Sequence, residues 1–158
     1  MTVSGPVRRY RGAFAVTVAM VVLLDQVTKA IALDALAGGR IIDLVWTLRF
    51  NLTFNYGMAF SAGTGVGPLI GTVALAVAAW VARLGWRAAL PSHAVVLGLV
   101  CGGALGNVVD RLFREDGWMR GGVVDFIDLQ WFPVFNLADS AITLGAVAIV
   151  LAGLMPRR

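Results

Sequence analysis

The chain has 158 residues, of which 59% are apolar and 14% charged, with a mean hydropathy of +0.83. Soluble domains carry about 25% charged residues, and a chain this short cannot bury so much apolar surface within itself. The numbers therefore argue against a soluble enzyme, a disordered tail or a secreted disulfide scaffold, and for a chain partly solvated by lipid.

Four apolar stretches are long enough to cross about 30 Å of hydrocarbon as helices: 13–33, 66–84, 93–109 and 139–155. The first carries Asp25, Gln26 and Lys29. A cleaved signal peptide is the rival reading there, with Arg8, Arg9 and Arg11 as its basic region and Ala35-Leu36-Ala37 as its cleavage site. Asp25, Lys29 and Asp34 would then fall between apolar core and cleavage site, too long and charged a tail for that pattern. Asp25 and Lys29 are four apart in the favourable acid-first order. They read as a self-neutralising pair that helps to pack the bundle, and Asp25, Lys29 and Asp110 are taken as structural polar residues.

Residues 42–60 then alternate, with apolar or aromatic side chains at every even position from Ile42 to Phe60 and Asp43, Thr47, Arg49, Asn51, Thr53 and Asn55 among the odd ones. A period of two indicates strand. The segment is too long for one strand, so a bend or hairpin is expected near Asn51 or Gly57. The even face would rest on the lipid interface, turning Arg49, Asn51 and Asn55 towards whatever is bound. For most of these residues a merely structural hairpin is the preferred reading.

Span three has Gly98, Gly102 and Gly106 at spacings of four, a stripe that lets another helix approach closely. Asn107 and Arg111 share a face at its end; both can bond peptide carbonyls, although Arg111 could equally be a snorkelling anchor. Cys101 sits mid-span without a nearby base and reads as a packed small side chain. The segment 110–138 is charged and then aromatic, with Phe113, Trp118, Phe126, Trp131, Phe132 and Phe135. Such a segment is expected to lie along the membrane surface. Span four opens with Asn136, a helix N-cap candidate, and Asp139 stands three residues later like the acid of a capping box. Capping and catalysis are equally open for Asp139. Asp125, an acid in the apolar run Val123-Val124-Asp125-Phe126, is costly there unless paired.

Charge asymmetry orients the spans. Arg8, Arg9 and Arg11, then Arg83 and Arg87, then Arg157 and Arg158 flank three regions without acids, whereas the connections 34–65 and 110–138 hold seven of the nine acids. Both termini are therefore expected in the cytoplasm. The whole of 1–158 forms one integral-membrane domain: a mainly α membrane protein of four transmembrane helices, with a small extracytoplasmic sheet and an interfacial outer segment.

The inventory limits the chemistry. One Cys forms no intrachain disulfide, one His removes most zinc chemistry, and the basic residues do not cluster as in a nucleic-acid binder. His93 lies at the cytoplasmic start of span three, out of reach of an outer serine, so a triad is excluded. Paired aspartates remain, one as acid and one as base. No metal or cofactor is expected.

Asp25-Gln26-Val27-Thr28-Lys29, Asn55-Tyr56-Gly57-Met58-Ala59-Phe60, Gly106-Asn107-Val108-Val109-Asp110-Arg111, Val124-Asp125-Phe126 and Phe135-Asn136-Leu137-Ala138-Asp139-Ser140 occur in this order. Together they closely resemble the bacterial lipoprotein signal peptidases, or signal peptidase II, from about residue 20 to 155. The resemblance implies an aspartic endopeptidase of the bacterial plasma (inner) membrane. It would cut diacylglyceryl-modified prolipoproteins before the lipidated Cys, with its active site at the extracytoplasmic face. By motif match, Asp125 and Asp139 are the catalytic dyad, and Asn55, Asn107, Arg111 and Asn136 surround the substrate or orient the dyad. A β-cradle formed by the first outer segment and inhibition by globomycin-type cyclic peptides are likewise implied. Asp139, near the positive end of helix four, is expected to ionise more readily, leaving the shared proton mostly on Asp125. Partners would be lipid-modified precursors and membrane lipids, not nucleic acid. The alternatives are a small proton-linked transporter using Asp25, Asp110 and Asp139, and a non-catalytic assembly subunit. No internal repeat of the transporter kind is present.

Overall fold

The computed structural model describes residues 9–57 and 67–154. Four helices follow the expected spans with bounds shifted by one to four residues: α1 Arg11–Ala35, α2 Gly67–Gly85, α3 Pro91–Phe113 and α4 Leu137–Leu154. The first three are long and apolar enough to cross a membrane, and α4 contributes a shorter apolar stretch, Leu137–Gly153. Positions 8, 66 and 155–158 of the expected spans and basic flanks lie outside the described residues, as do 58–65 of the first connection.

The helices are built inside out. Their buried faces carry mostly small or polar residues, while Val16, Met20, Leu23, Val27 and Ile31 of α1 and Leu144, Val147, Val150 and Leu151 of α4 are exposed. In water such a surface would be a large aggregation hazard; in lipid it is the favourable arrangement, because close packing of small residues drives helix association there. The protein is a mainly helical membrane protein carrying a small antiparallel sheet. The glycine stripe of α3 receives α1: a Cβ at Gly98 would meet Thr17, one at Gly102 would meet Val21, and one at Gly106 would lie 2.6 Å from an Asp25 carboxylate oxygen. Thr17, Val21 and Asp25 repeat at four, so glycine row and facing row run in step. Cys101, buried and placed with its Sγ 3.7 Å from the Ala78 carbonyl, packs α3 against α2 as expected.

At one end of the bundle sit strands β1 Ile41–Val45, β2 Leu48–Asn55 and β3 Val123–Asp128, antiparallel and in that order. Ile42, Phe50, Leu52, Val124 and Phe126 pack on Ala32 and Leu36 at the end of α1. Two expectations change here. The hairpin turn falls at Trp46-Thr47, not near Asn51 or Gly57: Ile42 faces Phe50, Asp43 faces Arg49 and Val45 faces Leu48. Trp46 takes the left-handed conformation (φ 52°) that a tight turn demands, and the Gln130 side-chain amide donates to the Thr47 carbonyl at 3.1 Å. Near Asn51 the strand bulges instead, since three residue steps from Phe50 to Thr53 oppose two from Ile127 to Asp125.

The segment 110–138 is also more than an interfacial stretch. Helix α3 runs on to Phe113, and Val123–Asp128 is a strand of the sheet. Phe126 is buried within it, whereas Phe113, Trp118, Trp131 and Phe132 are exposed. Both faces of β3 are covered, so it lacks the alternation that marks a half-exposed strand.

Candidate active site

The expected site residues converge where the sheet meets the ends of α1, α3 and the start of α4. Asn136 begins α4 as a reciprocal cap. Its Oδ1 accepts from the Asp139 backbone N–H at 3.0 Å, its own N–H donates to Asp139 Oδ2 at 3.2 Å, and its carbonyl accepts from the Ser140 N–H at 3.2 Å. This is a capping box, so the structural explanation of Asp139 is realised. It leaves Asp139 Oδ1 free for another partner, the side-chain amide of Asn107 at 2.8 Å. The Asn136 amide meanwhile donates to Asp125 Oδ1 at 2.6 Å, to Asn107 Oδ1 at 3.1 Å and to the Val124 carbonyl at 3.3 Å. One asparagine thus donates to both carboxylates, to Asp139 through its backbone and to Asp125 through its side chain.

Asp125 is buried on β3. Burial and the nearby charge of Asp139 push its carboxyl up to about 6, against the opposing pull of the Asn136 and Asn55 amides. A carboxyl poised there can hold a proton near neutral pH and release it to a substrate. Asp125, Asp139 and Asn55 line one cavity of about 700 Å³. Its remaining wall is the returning loop Leu129–Phe135, with Trp131 and Phe132, and a face of α4 formed by Ser140, Thr143 and Leu144. Two carboxyl groups and a few neutral polar side chains in a mainly apolar hollow match a site for a substrate with a polar reacting centre and greasy flanks. Among the described residues no group of His, Cys, Asp and Glu is placed to hold a metal ion.

Asp25 and Lys29 do pair, Nζ to Oδ2 at 2.8 Å, but not in isolation. Lys29 also bonds Asp110 at 2.8 Å and Asn107 Oδ1 at 2.9 Å. Asp25 accepts from the Ala138 N–H of α4 at 3.0 Å. Asp110 accepts from Arg114 Nε at 2.7 Å and from the Val124 N–H at 3.2 Å. The pair is the centre of a network joining α1, α3, α4 and β3.

Arg111 is not a snorkelling anchor: it is buried, and its Nη1 is the one buried side-chain nitrogen or oxygen among the described residues without a hydrogen-bond partner. It lies within electrostatic reach of Asp125, beside Gly67 and Gly71 of α2. Arg49 and Asn51 depart from expectation. Instead of facing a ligand, they bond Asp128 Oδ2 at 2.7 and 3.1 Å, while Asp128 Oδ1 accepts from the Gln130 N–H at 2.7 Å. Arg49 and Asn51 hold the Asp128 carboxyl below its ordinary range. Asp128, which fastens the start of the cavity-lining loop, was not singled out by sequence reading. Nothing in the sequence signals it, because its partners lie 77 and 79 residues away.

The family model described as Signal peptidase (SPase) II matches residues 17–155. A lipoprotein signal peptidase of Rhodococcus jostii is 44% identical over 156 residues, covering 96% of this chain and 79% of the relative. One of Mycobacterium tuberculosis is 40% identical over 147 residues, covering 92% and 72%. A solved structure of a bacterial membrane enzyme superposes with a TM-score of 0.80 at 27% identity, covering 95% of this chain and 97% of the other. Motif order, bundle and match over most of the length agree, and the chain belongs to the signal peptidase II family.

Proposed function

We propose that this protein removes signal peptides from diacylglyceryl-modified prolipoproteins as an aspartic endopeptidase, cutting before the lipidated Cys. Family membership and relatives named lipoprotein signal peptidase support the peptidase activity and its precursor substrates. The transporter alternative finds no support in them, and the first two of its three aspartates are saturated by the Lys29 network. The observation that carries the aspartic mechanism is the shared cavity of Asp125 and Asp139, with Asn136 holding both carboxylates and Asp125 raised to about 6.

In this mechanism the Asp139 carboxylate takes a proton from water, which attacks the scissile carbonyl carbon while Asp125 gives its proton to the carbonyl oxygen. The tetrahedral diol collapses as Asp125 recovers a proton and Asp139 delivers one to the departing nitrogen. No covalent enzyme intermediate forms. Asn107 and Asn136 orient the dyad, and Asn55 and Arg111, whose Nη1 has no partner, supply donors to substrate carbonyls. The membrane is the bacterial plasma membrane, crossed four times with both termini in the cytoplasm, and the sheet forms an extracytoplasmic cradle around the precursor. Cyclic peptides of globomycin type compete for the same cavity.

The test is cleavage of a purified diacylglyceryl-modified precursor beside its unlipidated twin. Mass spectrometry should show one product beginning at the lipidated Cys and little turnover of the twin. Equal cleavage of both would overturn the substrate assignment.

A further inference from the structure

Lys29 is wholly buried, and an ammonium has three donors and no acceptor. Two donors meet the carboxylates of Asp25 and Asp110, which is what neutralising a buried charge requires. The third goes to a neutral group, Asn107 Oδ1 at 2.9 Å. That bond decides how the Asn107 amide lies. Its oxygen faces two donors, Lys29 Nζ and Asn136 Nδ2, so its nitrogen must face away from them, and there it donates to Asp139 Oδ1 at 2.8 Å. Reversal of the amide would set its N–H₂ against an ammonium and leave Asp139 facing an oxygen.

We infer that Lys29 is a positioning residue for catalysis, locking the Asn107 amide so that Asp139 always meets a donor, in addition to being the counter-ion of Asp25 and Asp110. This rests on the reading of Asp125 and Asp139 as the dyad. Lys29 touches neither of them. Its hydrogen-bonded link to the dyad passes through one amide, from α1 through α3 to the first turn of α4, beside the through-space pull of its charge on Asp125.

The experiment compares Asp25→Asn with Asp25→Asn/Lys29→Met, measuring kcat, KM and thermal unfolding on lipid-modified precursor. In the Asp25→Asn background the ammonium faces an amide where it had a carboxylate, and Asp110 keeps Arg114. A purely charge-balancing Lys29 would therefore be dispensable there, and the double variant would match the single one. The relay instead predicts that the double variant loses kcat by about 10²-fold with KM unchanged, the scale of loss when a reacting group is misplaced. Within Asn107→Leu, where the relay is already cut, adding both changes should lower kcat no further. Equal kcat in the two Asp25→Asn variants, or a loss confined to KM or to the folded fraction, would overturn the relay. Asp139→Asn run alongside separates the two claims. If it is inactive while the Asp25→Asn pair agree, only the relay falls; if it cleaves normally, dyad and relay fall together.

Discussion

Two carboxylate pairs sit at the same end of the bundle and have opposite surroundings. Asp25 and Asp110 are bonded by cations, Lys29 to both and Arg114 to the second, and each also accepts a backbone N–H. Asp125 and Asp139 receive only neutral donors: the amides of Asn136 and Asn107 and the Asn136 backbone. The first pair is charge-compensated and fully occupied, the arrangement expected of a network that joins helices. The second faces a cavity with no cation bonded to it, so burial and mutual repulsion raise one member towards neutral pH. The two pairs thus differ in whether the partners bonded to them carry charge.

Substitutions should separate the pairs by signature. Asp110→Asn takes one partner from a buried ionic network, and breaking such a pair costs about 3–5 kcal/mol. A large fall in unfolding temperature is expected, with cleavage per folded molecule reduced far less; an unchanged unfolding temperature would mean the network is not what joins α1, α3 and β3. Asn136→Ala removes a cap worth about 1 kcal/mol and the support of both dyad members. It should therefore lower kcat by about 10²-fold or more while costing little stability. Loss of stability without loss of kcat would reduce Asn136 to a helix cap.

Much of this was legible in the residues, for identifiable reasons. Long apolar runs and the glycine stripe are local patterns, and they located α1 to α4 and the face that α1 occupies. The alternation of residues 42–60 exposed β1 and β2 because only one face, that of Ile42, Phe50 and Leu52, packs on the end of α1. The turn escaped because Trp46-Thr47 contains neither Gly nor Asn, and a side chain from the distant Gln130 helps to hold it. Strand β3 escaped because both its faces are covered, and Arg49 and Asn51 were misdirected because their partner Asp128 lies on that hidden strand. Asp139 was legible as a cap or as a catalytic acid, and the structure gives it the geometry of a cap within a cavity it shares with Asp125.

Smaller effects sharpen the contrast further. Gly106→Ala would place a methyl 2.6 Å from Asp25 Oδ2; the shift this forces should cost about 1–3 kcal/mol in chemical or thermal unfolding. A neutral cost would show that α1 and α3 can part without disturbing the Lys29 network. Asp125 makes stability depend on pH in a definite direction. Its folded carboxyl is raised from 3.8 to about 6, so the native state holds the proton more tightly than the unfolded chain does. Its contribution is therefore present below about 3.8 and is lost as pH rises towards about 6. Unfolding temperature should decline over that window, and Asp125→Asn should remove the part due to this group; an unaltered slope would contradict the raised carboxyl. The smallest effect is expected at Asp128→Asn. Its Arg49 partner is partly exposed, and such pairs contribute about 0–1 kcal/mol. Any change should appear in KM through the loop from Leu129 rather than in kcat.

The central claim is that the cation-free pair performs the chemistry. Its most direct test is cleavage of a lipid-modified precursor by Asp125→Asn and by Asp139→Asn, each confirmed as folded and beside Asp25→Asn. Both dyad variants should lose about 10³-fold or more in kcat, within the range general acid–base groups supply, while Asp25→Asn continues to cleave. Turnover by either dyad variant at the wild-type rate would contradict the claim.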